Sequence, residues 1–356
     1  MSAGGASLAV AVATWGRASV LAAILRQLAA VAFALLVSGI LLLLVGVNPI
    51  RAFGAIWDGA FGSFYQVTVG LAKAAPYLLC SVGISICFRA NVINIGGEGQ
   101  IALGGLAAAW TALTIPVGTP WLAIPLGLAA GAACGMIWGG IAAILHITRR
   151  VHEVLVTLMM NFIALLLIGE ALSGSFGEIG SGFPQSPPIP TPSLLPTLWP
   201  GSRLHLGVLI AIGVAIAMHV FLWRTTFGFS IRSVGASRSA AAYAGISVPR
   251  VILMVMCVAG ATAGLAGAVQ VLGVHFRLIE GYSNGFGFVA VAIALLGAVN
   301  PLGQIPAALL FGFLETGALS MQRQMGIPSS LVQVIEGIVM LSVLAAMGSM
   351  AQRRRV

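Results

Sequence analysis

The sequence predicts an all-α polytopic membrane protein with about ten transmembrane helices arranged as an inverted repeat. Two observations carry the class and a third the arrangement. Of the 356 residues, 59% are hydrophobic and 7% charged, with a mean hydropathy of +1.07. Soluble domains carry roughly 25% charged residues, so a water-facing surface of this size cannot be built here. The apolar residues gather in runs of about 20, the length that crosses a bilayer as helix. The 46 glycines fit, because close helix packing in membranes favours small residues. A Gly-rich break followed by an apolar run then occurs twice, as NVINIGGEGQIALGG and as EGYSNGFGFVAVAIALLGAVNPLG. The two stretches fall after spans of opposite direction, as inverted repeats require.

The spans are expected near 28–47, 66–88, 96–115, 121–145, 154–172, 206–223, 251–273, 286–300, 302–320 and 331–349. The first apolar run ends in Val47-Asn48-Pro49 rather than a small-residue cleavage site, so it reads as an uncleaved span. With both termini in the cytoplasm, the inner segments hold 12 of the 17 basic residues. These are Arg17, Arg26, Arg89, Arg149, Arg150, Arg224, Arg232, Arg238, Arg250 and Arg353–Arg355. That bias sets the orientation. It also makes the net charge of +9 a topology signal rather than a nucleic-acid one. The expected divisions are a cytoplasmic segment 1–27, a transmembrane domain 28–349 and a basic cytoplasmic tail 350–356.

Two connections are long. Residues 173–205 carry seven prolines with little charge and predict an extended loop on the outer face. Residues 224–250 lie on the inner face. There Ser237 or Ser239 caps a short helix through Ala240–Ala244, Gly245 ends it and Pro249 prevents its continuation.

Several chemistries are excluded. The single lysine, Lys73, sits in an apolar run and belongs to no G-x-x-x-x-G-K-[ST] loop, so the chain has no P-loop of its own. His152-Glu153 begins like a zincin motif, but Val156 stands where the second His is needed. No G-x-S-x-G elbow occurs, and neither the histidines nor the four cysteines have metal-ligand spacing. No catalytic and no metal-ligating residue is expected.

Polar residues inside spans are costly and therefore candidates for function. Asn91, Asn94, Glu98 and Gln100 surround Gly96-Gly97, where a broken helix would turn backbone dipoles toward a solute. Asn161, Glu315 and Glu336 lie within other spans and can equally bond helix to helix. Lys73 is expected to snorkel outward.

Asn94–Gln100, read NIGGEGQ, resembles the NIG-x-EGQ signature of permease subunits of ABC importers for nucleosides and simple sugars. Thr226-Phe227-Gly228 followed by Ile231-Arg232-Ser233-Val234-Gly235 resembles T-x-x-G-x-x-x-R-x-V-G, and Ala241–Ile246 resembles the A-A-x-x-G-I that follows it. Gly285–Phe288, Ala290–Ala292 and Leu295–Gly297 are similar to the same group. Gly97 stands where Val or Ala is common, and Ser233 where Ala is common. The resemblance implies a type II-like ABC importer permease of a bacterial cytoplasmic membrane. It implies a second permease subunit, identical or not, a cytoplasmic ATPase pair that holds the ATP and Mg, and an extracytoplasmic solute-binding protein. This chain would bind no cofactor and would touch lipid but no nucleic acid. Asn91, Asn94, Glu98, Gln100, Asn161 and Glu315 would border the pathway. Gly228, Arg232, Gly235, Ala241, Ala242 and Gly245 would couple it to the ATPase. Nucleosides are the expected cargo, with simple sugars next, then riboflavin or amino acids. A secondary transporter driven by an ion gradient is the rival, with Glu98, Glu315 and Glu336 as its coupling carboxylates.

Overall fold

The structure, a computed structural model, describes residues 32–342 apart from 116, 284, 329 and 340. The expected segment 1–27, the start of the first span, the end of the last and the tail 350–356 lie outside the described residues. In chain order the helices are α1 Ala32–Leu44, α2 Pro49–Phe61, α3 Phe64–Arg89, α4 Gly97–Thr114, α5 Pro120–Arg149, α6 Glu153–Ser173, α7 Leu206–Arg224, α8 Thr226–Ala236, α9 Arg238–Tyr243, α10 Val248–Gln270, α11 Phe286–Leu296, α12 Gln304–Met325 and α13 Ser330–Val339. A π turn at Val271–His275 extends α10.

Six of these helices (α3, α5, α6, α7, α10 with its π turn, and α12) are each long and apolar enough to cross a membrane. The count is seven if α1 and α2, bent by 118°, form one span. The expected ten is not reached by this measure. α4 has 18 residues but is rich in Gly and Ala and carries Glu98, and α11 has only 11. α2 falls where the sequence predicts a connection. Asn48 Oδ1 accepts the Ile50 N–H at 2.9 Å, Pro49 supplies a helical φ, and Ala52, Ala55 and Ala60 form the buried face.

The chain forms two compact units. One comprises the residues up to Gly59 and those from Gly317 onward. Its core is Leu42, Ala52, Ala55, Ala318, Met321, Ile327, Val332 and Ile335.

The other unit runs from Ala60 to Thr316, with α10 at its centre against α3, α4 and α5. The α5–α10 seam is made of glycine. Gly127, Gly131, Gly135 and Gly139 recur every fourth residue and so share one face of α5. A Cβ on Gly135 would lie 2.2 Å from the Gly260 carbonyl oxygen, and one on Gly264 would lie 2.2 Å from that of Gly131. Small residues at this spacing let backbone pack on backbone, which substitutes for the hydrophobic drive that lipid cannot give.

The two Gly-rich stretches occupy similar places in the order of elements. α3, a non-helical break at 90–96 and then α4 stand beside α10 with its π turn, a break that begins at Phe276 and then α11. α4 and α11 both begin at glycine-rich turns and lead away from a shared starting point. α11 ends beside Arg89, at one end of α3, while α4 starts beside Cys80, near its middle.

Candidate functional site

The two half-helices meet end to end at Glu98. Its Oε1 accepts the Gly285 N–H at 3.0 Å, and its Oε2 accepts the Gly287 N–H at 2.9 Å. Glu98 is also in the first turn of α4. One carboxylate, 4% exposed, thus faces the positive N-terminal ends of both helices. Glycine is required here. A Cβ on Gly287 would lie 2.1 Å from the Glu98 backbone nitrogen. A Cβ on Gly97 would lie 2.8 Å from Cys80 Sγ, so the departure from the signature at this position makes room for Cys80.

The first break is filled by amide side chains. Asn94 Oδ1 accepts the Gly96 N–H at 2.8 Å, and Asn94 Nδ2 donates to Gln100 Oε1 at 3.3 Å. From α6, Asn161 donates to the Ile95 carbonyl and accepts the Gly99 N–H, both at 2.9 Å. Thr157 Oγ1 accepts the Ile95 N–H at 3.3 Å. Unpaired backbone polar groups are excluded from a membrane interior, and these side chains satisfy them where the helix is broken. The second break uses Tyr282, whose hydroxyl donates to the Ile101 carbonyl at 2.6 Å.

Of the six residues expected along the pathway, Asn94, Glu98, Gln100 and Asn161 come together, all buried. Asn91 lies apart, exposed, with a left-handed φ of 54° and its carbonyl accepting from Arg238 at 2.8 Å. Glu315 also lies apart. Its Oε1 accepts from Lys73 Nζ at 2.5 Å and its Oε2 from the Tyr77 hydroxyl at 2.9 Å. Lys73 therefore does not snorkel outward, because an ion pair across α3 and α12 stabilises it more than a free path to solvent. Tyr77 in turn sets its ring edge-on to Phe286 at the start of α11, with centroids 4.9 Å apart.

At the other end of α11 the basic segment is folded as two short helices. Ser237 caps α9 by accepting the Ala240 N–H, and Gly245, at φ 81°, follows the helix end, as the sequence predicts. Gly228 and Gly235 sit where a Cβ would strike backbone, 2.3 Å from the Phe221 carbonyl oxygen and 1.9 Å from that of Arg89. Arg232 stacks on the Trp223 ring 4.7 Å from its centroid, and Ala241 is buried. Ala242 and Gly245 are exposed beside Tyr243.

Residues 66–344 match the family described as branched-chain amino acid transport system, permease component. The chain belongs to this family. Among its relatives, this permease is 36% identical over 325 residues to the guanosine ABC transporter permease protein NupP of Bacillus subtilis, covering 90% of this chain and 92% of that one. It is 33% identical to the nucleoside ABC transporter permease protein NupB of Lactococcus lactis, over 88% of both chains. To the glucose ABC transporter permease protein TsgB13 of Haloferax volcanii it is 32% identical, over 86% of this chain and 83% of that one. No solved structure matches it. The permease is thus the multi-pass membrane subunit of an ABC transport system rather than an enzyme.

Reading the sequence missed Lys73, Tyr77, Tyr282 and Trp223 as partners in this arrangement. Lys73 and Glu315 are 242 residues apart, and nothing local signals their pairing. Gly285 and Gly287, at the start of α11, stand in the sequence as a Gly-rich stretch, but nothing there names their N–H groups as the donors to Glu98.

Proposed function

We propose that this permease carries nucleosides into the cell by alternating access, paired with a second permease subunit, powered by a cytoplasmic ATPase and supplied by an extracytoplasmic binding protein. One observation supports the mechanism. Two half-helices abut at a single buried carboxylate, so a small separation there opens a path lined by backbone dipoles and amides. Such a path suits a neutral solute with hydrogen-bonding edges. Asn94, Gln100 and Asn161 then border the pathway, and Glu98 closes it. The guanosine and nucleoside permeases among its relatives support the cargo, while the glucose permease keeps sugars as the second reading. Both termini and α8–α9 face the cytoplasm in this reading, and the Pro-rich loop faces outward. Gly228, Gly235, Ala241 and the exposed Ala242 shape the surface that meets the ATPase.

The test is reconstitution of the four-component system in liposomes. ATP-dependent uptake of labelled guanosine, unaffected by an ionophore and by excess glucose, is the expected result. Uptake driven by an ion gradient without ATP would select the secondary transporter, and displacement by glucose would select the sugar reading. Orientation is read separately with an impermeant thiol reagent on Ile179→Cys and Tyr243→Cys, in a background without the native cysteines. Both sites are almost fully exposed, at 101% and 97%. They should label from opposite sides.

A further inference from the structure

We infer that Arg89 is a positioning residue that ties the coupling segment to half-helix α11. Two guanidinium groups lie over the Trp223 indole, with Arg89 Cζ 5.4 Å and Arg232 Cζ 4.7 Å from its centroid. Arg89 spends its donors on backbone carbonyls. Nε donates to the Val299 carbonyl at 2.7 Å and Nη2 to that of Ala298 at 3.3 Å. Among the described residues neither arginine is in an ion pair. An arginine present only for stability would more simply face a carboxylate. This one instead joins an aromatic face to the end of a half-helix.

The helix end it holds is strained. Ala298 and Val299 both have left-handed φ, at 55° and 53°, a conformation that a β-branched residue strongly disfavours. Strained backbone of this kind persists where its surroundings over-determine it, and it accompanies switching sites. The Val299 N–H closes the turn onto the Ala294 carbonyl at 2.9 Å, and Asn300 Oδ1 is 3.1 Å from His219 Nδ1 on α7. α8 cannot slide without disturbing this end, because Gly235 packs directly on the Arg89 carbonyl. A displacement of α8 and α9 therefore reaches α11 through Arg232, Trp223 and Arg89. α11 starts at the Gly285 and Gly287 donors of Glu98, so the same displacement reaches the junction.

This inference rests on reading α8–α9 as the ATPase-facing segment, and the Tyr243→Cys labelling tests that reading on its own. The experiment uses the full complex in liposomes with Arg89→Lys, Trp223→Phe and Trp223→Leu. Lysine keeps the charge but cannot stack and donate two directed bonds in one plane. Arg89→Lys is expected to leave complex yield and binding-protein-stimulated ATP hydrolysis within about twofold of the parent, while uptake falls about tenfold, the equivalent of about 1.4 kcal/mol. Trp223→Leu should behave the same way, and Trp223→Phe, which keeps a cation-binding face, should retain most uptake. Normal uptake by Arg89→Lys overturns the inference. So does a parallel fall in uptake and stimulated hydrolysis, or a loss of assembled complex, since each would leave Arg89 without a coupling role of its own.

Discussion

The two breaks that meet at Glu98 are built in opposite ways. The first, residues 90–96, is held from inside the bundle by Asn94, Gln100, Thr157 and Asn161, all buried side chains. The second is held from its flank by the Pro-rich loop. The Ser186 N–H donates to the Leu278 carbonyl at 2.8 Å, Ser186 Oγ accepts the Leu278 N–H at 2.9 Å, and the Ile189 N–H donates to the Phe276 carbonyl at 2.9 Å. Arg277 pairs with Glu178 at 3.2 Å, both partly exposed. Ser186, Ile189 and Leu278 are themselves buried, so both breaks rest on buried hydrogen bonds and differ in what supplies them, helix side chains at the first and a loop at the second. The same motif is therefore held once by side chains of the helix bundle and once by a loop. A Pro-rich loop that looks like a spacer is the brace of the second break.

The sharpest way to break this picture is Gly287→Ala. The added methyl meets the Glu98 backbone, which cannot rotate away, so the two half-helices must separate. Uptake should be abolished, with a marked fall in assembled complex measured by affinity capture of the ATPase. Parent-like uptake would mean that the half-helices need not abut.

Asn161→Ala and Ser186→Ala contrast the two breaks. Asn161→Ala strands the Gly99 N–H and the Ile95 carbonyl in a buried place, at about 1–3 kcal/mol each. It should lower complex yield. Ser186→Ala strands one buried group, the Leu278 N–H, at about 1–3 kcal/mol, against two for Asn161→Ala. Yield should fall less, while hydrogen exchange at residues 276–280 accelerates. Equal effects on yield would erase the distinction.

A smaller, pH-dependent effect concerns His205, which caps α7 by accepting the Gly207 N–H at 3.2 Å and lies against Gly273, just ahead of the second break. Burial lowers its pKa to about 4. The folded state then binds fewer protons than the unfolded state between about pH 4 and 6.5, so stability rises with pH in that window. It is lost as pH falls through it, by up to about 3 kcal/mol at 1.36 kcal/mol per unit. His205→Asn keeps a capping oxygen without titrating there. Its solubilised complex should survive heating at pH 5 longer, relative to pH 7, than the parent does.

Most of the long helices were legible because apolar runs leave few alternatives. So was α9, because Ser237, Gly245 and Pro249 act locally. The junction was half legible. Gly96-Gly97 with Asn94, Glu98 and Gln100 announced a break, but a sequence cannot say that the carboxylate's partners are backbone groups near residue 286. α2 was hidden because Arg51 and Asp58 interrupt its apolar pattern and its fully buried positions are small residues, Ala52, Ala55, Gly59 and Ala60. The Lys73–Glu315 pair and the double stack on Trp223 depend on tertiary placement alone.

The glycine seam between α5 and α10 has a mechanical corollary. Side chains absorb small shifts by exchanging rotamers, and a contact made of carbonyls and Cα atoms has none to exchange. The seam is therefore stiff and cannot be retuned by compensating substitutions, because any added carbon has nowhere to go. It acts as a fixed datum within its unit, against which a displacement of α11 of even an ångström becomes a change of shape rather than a diffuse relaxation.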